Sequence, residues 1–138
     1  MDNSPPPLPA ELVQEFVIVS HGQYERVVAL LAQEPGLINV AWDWGGGDYE
    51  TGLGAAAHMG HRQIALYLLA HGARFDLYAA AMLGQLELVR VILGAHPEMR
   101  NTPGAHGIPL LVHAQMGGEE AKGVLEYLES EAAGAEGG

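Results

Sequence analysis

One phrase recurs along the chain: a run of small or apolar residues meets a glycine, then an amphipathic segment closes on paired aliphatics. The clearest copy is Ala55-Ala56-Ala57-His58-Met59-Gly60, continued by His61-Arg62-Gln63-Ile64-Ala65-Leu66-Tyr67-Leu68-Leu69. A second runs from Ala79-Ala80-Ala81 through Gly84 to Val91-Ile92-Leu93, and an earlier one from Ile18-Val19 through Gly22 to Leu30-Leu31. Recurrence of one helix–turn–helix unit predicts a stacked solenoid, because each unit can bury its apolar face only against its neighbours. The repeat does not say what the stack binds.

With 138 residues the chain makes one domain, long enough for a continuous core. A net charge of −11, with six Lys and Arg scattered rather than striped, argues against nucleic acid and against an anionic membrane surface. With no cysteine there is no disulfide framework and no thiolate metal or redox chemistry. No basic segment followed by an apolar run marks a secretory leader, and no stretch has bilayer-spanning length, so a cytoplasmic location is expected. One lysine beside five arginines, with abundant alanine and glycine, fits a GC-rich coding sequence, and a bacterial source is expected.

Residues 1–8 are polar and proline-rich and are expected to be flexible. Pro9 suits the first turn of a helix running to about Ser20, followed by a second from Gln23 to about Gln33. From Asn39 to Thr51 there is no helical period. Gly45-Gly46-Gly47 between aromatics predicts a long turn or finger loop. Helices are then expected at about 52–59, 61–71, 77–83, 85–94, 108–116 and 119–130, with Asp76 as the N-cap of the third inner helix, at 77–83. Pro97 and Pro103 bracket an irregular stretch, and residues 131–138 form an acidic, glycine-rich tail expected to be flexible.

The turn glycines Gly22, Gly60, Gly84 and Gly117 are separated by irregular intervals near the ankyrin period. The segment from Gly60 to Asp76 resembles the ankyrin pattern G-H-x-x-I-V-x-x-L-L-x-x-G-A-D-V-N. The chain is similar to short bacterial proteins of about four divergent ankyrin units, with residues 9–130 as the repeat domain. That resemblance implies an all-α ankyrin-repeat solenoid of paired antiparallel helices with irregular finger loops. It departs from the family at the T-P-L-H start, which reads Thr51-Gly52-Leu53-Gly54 in one unit and Ile108-Pro109-Leu110-Leu111 in another. No finger fits between Asp76 and the alanine run that follows.

The resemblance also implies that a partner meets the concave face. Those positions are Ser20, His21, His58, Met59, Met82, Leu83, Gln115 and Met116 on inner helices, with Trp42, Asp43, Trp44, Asp48, Tyr49 and Glu50 on the finger. Met, Trp and Tyr suit contact surfaces. Equally, Trp42 or Trp44 can fold back over the stack and fill the gap beside the shortened unit. Seven histidines raise a metal reading. His21, His58 and His113, with Asp43 or Asp48, would make a nitrogen–oxygen zinc site, although no ligand pair has a motif spacing and no metal or cofactor is assigned. His61 reads as a structural residue opening an outer helix; His71, His96 and His106 read as turn or loop residues. No nucleophile elbow, phosphate loop or H-E-x-x-H is present, so no enzyme is expected. The leading expectation is a non-catalytic protein-binding module whose partner surface is basic or mixed. The alternative is a small-ligand or metal-binding protein using groove histidines and the Trp/Asp loop, and self-association is a third reading.

Overall fold

The computed structural model describes residues 3–137, with side chains as far as residue 131; Met1, Asp2 and Gly138, parts of the two expected flexible ends, lie outside the described residues. Its helices alternate along the chain: α1 (Ala10–Val19), α2 (Tyr24–Gln33), α3 (Gly52–His58), α4 (Arg62–Ala70), α5 (Leu77–Met82), α6 (Leu86–Ala95), α7 (Leu110–Met116) and α8 (Lys122–Gly137). Short 3-10 turns occupy Pro35–Asn39, Pro97–Asn101, Ala105–Gly107 and Gly118–Ala121. The last helix continues past Ser130 to Gly137. At the other end Leu8 packs against the core.

The odd-numbered helices form an inner layer in which α1 packs on α3, α3 on α5 and α5 on α7. The even-numbered helices lie outside them, α2 beside α4 and α6 beside α8. Small side chains let the inner helices approach closely: Ala55, Ala56, Ala57, Ala79, Ala80 and Ala81 are fully buried. The central helix α5 is enclosed on both sides. Ala79, Met82 and Leu83 join the core built on α1–α4, while Leu77, Ala80 and Ala81 join the core of the C-terminal units. Met82 and Leu83, expected on the concave face, are therefore core residues. Ser20 is buried too, its hydroxyl donating to the Phe16 carbonyl at 2.8 Å.

Local signals account for the helix starts. Asp76 caps α5 by accepting from the Ala79 N–H at 2.8 Å, and Thr51 caps α3 by accepting from Gly54 at 2.9 Å. His61 caps α4, its Nδ1 accepting from Ile64, so the structural role read for it holds. Gly60 and Gly84 end α3 and α5 at φ of 67° and 77°, a left-handed conformation that L side chains rarely adopt. A Cβ on Gly84 would also collide with the Glu120 carbonyl, and one on Gly60 with that of Met116.

The expected finger contains a small antiparallel hairpin, β1 (Ala41–Asp43) and β2 (Tyr49–Thr51), with Trp42 opposite Glu50. Its tip holds Gly45, Gly46 and Gly47, all at positive φ, and Asp43 closes it by accepting from the N–H groups of Gly45 and Gly47 at 2.8 and 3.0 Å. The hairpin lies against α1 on one strand and against α3 and the Ala105–Gly107 turn on the other. Among the described residues no helix is long and apolar enough to cross a membrane.

Candidate metal centre

Strand parity turns one carboxylate inward. Successive β2 side chains point to opposite faces, so Tyr49 is 62% exposed while Glu50 is 2% exposed. A buried carboxylate is costly unless it is compensated, and here three imidazoles surround it. His21 Nε2 and His106 Nε2 each lie 3.3 Å from Glu50 Oε1, and His58 Nε2 lies 2.8 Å from Oε2. The His58 ring packs edge-on against those of His21 and His106, with centroids 5.0 and 5.5 Å apart. One donor atom from each of the four residues lies within 4.8 Å of every other.

Each donor arrives from a separate segment. His21 follows the end of α1, Glu50 lies on β2, His58 ends α3, and His106 sits in the turn before α7. Their orientations are fixed from behind. His21 Nδ1 faces the carbonyls of Val17 and Ile18 at 2.9 and 3.1 Å. His106 Nδ1 faces Asp48 Oδ2 at 2.8 Å, and the other Asp48 oxygen accepts from the His106 backbone N–H at 2.8 Å. Carbonyls and carboxylates only accept, so both Nδ1 atoms carry hydrogen. His106 is also the one described non-glycine residue at positive φ, 60°, a strained backbone held where its ring meets Glu50.

Glu50 has a further donor in Trp44, whose indole N–H reaches Oε1 at 2.9 Å. Burial alone would raise the Glu50 carboxyl. The His21 and His58 imidazoles and the Trp44 N–H outweigh it, holding the group well below the usual carboxylate range. The hydrogen bond with Glu50 correspondingly raises His21 against the opposing pull of its burial. Glu50 Oε2 and His58 Nε2 remain without a hydrogen-bond partner: the two atoms are close but not aligned as donor and acceptor.

The centre overlaps the residues expected from sequence only in part. His21 and His58 are brought together, but His113 is not. It lies buried on α7, its Nδ1 donating to the Pro109 carbonyl at 2.9 Å and its ring beside Tyr78. Asp43 serves the hairpin tip, and Asp48 supports His106 rather than facing Glu50. Glu50, expected as a surface contact, is the buried floor of the site. His106, read as a loop residue, is one of its walls. Trp44, Tyr49, Met59 and Met116 are exposed, as is Gln115, whereas Trp42 is half-buried within strand β1 of the hairpin. His71 stacks on Tyr67, and His96 pairs with Glu98 at the surface.

No family model, curated protein or solved structure matches the chain.

Proposed function

We propose that the chain binds a divalent transition-metal ion through His21, Glu50, His58 and His106, on a helical-repeat scaffold of ankyrin type. The carrying observation is the arrangement around Glu50: three imidazole Nε2 atoms converge on one buried carboxylate. With hydrogen on Nδ1, His21 and His106 turn their Nε2 atoms toward Glu50. A cation among the four donors takes the place of the Nε2 protons that otherwise bridge the rings to the carboxylate. Donors about 2.0–2.1 Å from one ion lie no more than about 4.2 Å apart. The three His–Glu50 separations are 2.8–3.3 Å and the four donor atoms lie within 4.8 Å of one another, so a small inward movement of the rings completes the shell. The carboxylate and backbone carbonyl behind two rings are the outer partners that metal-binding histidines use to fix tautomer and direction.

An N₃O donor set suits zinc, iron(II), cobalt(II), nickel(II) or copper(II) better than calcium or magnesium, which prefer oxygen alone. The repeat assignment rests on the alternating inner and outer helices, the glycine turns, and the hairpin placed where a finger belongs. The function is one of binding, without a reaction assigned.

Isothermal titration of the full chain with zinc is expected to give one site, abolished in Glu50→Gln and His58→Ala but retained in His96→Ala. Retention of that site in both first variants would refute the assignment. Protein recognition by the same face is a second reading. It is favoured by exposed Trp44 beside His21 and His106, and by exposed Met59 next to the turn that packs on Met116. The acidic balance would select a basic or mixed partner. Partner capture that is lost in Trp44→Ala and Met59→Ala, yet indifferent to metal, would support it.

A further inference from the structure

The four donors are not equally enclosed. The Glu50 side chain is fully buried and that of His58 is 13% exposed, whereas those of His21 and His106 are 27% and 32% exposed. Glu50 and His58 thus form a floor, and His21 and His106 a rim. Both oxygens of Glu50 face imidazole nitrogens: two approach Oε1, and the third approaches Oε2, which has no hydrogen-bond partner. Oε1 also accepts the Trp44 indole N–H at 2.9 Å, so the protein offers three nitrogens and one carboxylate to a shared ion. An ion held by these four residues in a shell of more than four keeps a further position, and the graded enclosure directs it toward the rim. Trp44 stands there, 38% exposed, with ring centroids 6.4 Å from His21 and 5.8 Å from His106.

We infer that the metal keeps one exchangeable coordination position on the Trp44 side, held by water at rest and open to a small monodentate anion. Three neutral imidazoles and one carboxylate leave a divalent ion with a single net positive charge, which favours an anionic ligand over a cationic one. The indole and the two rim imidazoles border the approach, so a slender donor fits better than a branched one. The inference rests on the metal-binding reading and adds to it that the protein does not saturate the ion. A centre closed by four protein donors would be structural; one with an exchangeable position can take up an outside ligand.

The test is azide titration of the cobalt(II)-loaded full chain, followed by visible absorption and by cobalt content after gel filtration. The expected result is a weak five- or six-coordinate spectrum that shifts saturably with azide, while one cobalt per chain is retained. Retained cobalt with an intense tetrahedral spectrum that azide leaves unchanged would overturn the exchangeable position and leave the metal site standing. Failure to retain cobalt, zinc or nickel would overturn the metal site itself. Loss of cobalt during the titration, seen in the gel-filtered protein, would show that azide competes for the ion rather than joining it, and would also overturn the inference.

Discussion

Asp48 touches none of the four donors' ligating atoms, yet it holds His106 by both backbone and ring. Asp48→Asn removes the charge that fixes the His106 tautomer. It should weaken zinc binding by about 10–100-fold, the usual cost of losing an outer partner, with thermal stability of the metal-free chain little changed. Competition with a chromophoric chelator measures the first quantity and a melting curve the second. Gly84 makes a different residue-level case. Alanine there must adopt a left-handed backbone, costing about 1–2 kcal/mol, and must displace the Glu120 carbonyl as well. Urea unfolding should show a loss at least that large. The glycine's role was legible in sequence because a turn between amphipathic segments needs positive φ locally. The role of His106 was not, since its partner Asp48 lies 58 positions away. Glu50 carried a usable signal: in a strand after the triple glycine it alternates with Tyr49, which places one of the two inward.

At the scale of elements, the caps and enclosed helices decide what can change. Asp76 caps α5 while burial raises its carboxyl above the ordinary value. Asp76→Ala should therefore cost about 1 kcal/mol from the lost cap, whereas Asp76→Asn keeps the acceptor, sheds the buried charge and should be close to neutral at pH 7. On α7, burial lowers His113 below its ordinary 6.5, with the Pro109 carbonyl and Asp76 opposing and His58 adding to the shift. The unfolded chain then binds the proton more tightly, so stability is lost as pH falls below 6.5 toward the lowered folded value. The His113→Gln variant lacks this term. The stability difference between wild type and variant should move in the variant's favour over that acid window, as chemical denaturation at stepped pH would show. Helix positions and the Asp76 cap followed from apolar spacing and side-chain chemistry within a few residues. The burial of Met82 did not, because α5 is covered from both sides and its exposure depends on neighbours rather than on its own period. The same limit misplaced His113, whose phase on α7 turns it toward Tyr78 instead of the histidine cluster.

Across the whole molecule, the centre ties together segments that the stack alone brings near one another: the end of α1, the hairpin, the end of α3 and the turn before α7. An ion bound only in the folded state should raise the unfolding midpoint, by about 2.7 kcal/mol of stability at a free concentration 100 times Kd. Glu50→Gln should remove that increment, and differential scanning calorimetry with and without zinc compares the two. The central claim is that three imidazoles and one carboxylate share an ion. X-ray absorption spectroscopy of the zinc-loaded full chain reads that shell directly. The expected first shell holds nitrogen and oxygen only, at about 2.0–2.1 Å, with outer-shell scattering from three imidazoles that weakens to two in His106→Ala. A shell of oxygen alone, or one whose imidazole scattering is unchanged by that substitution, would contradict it.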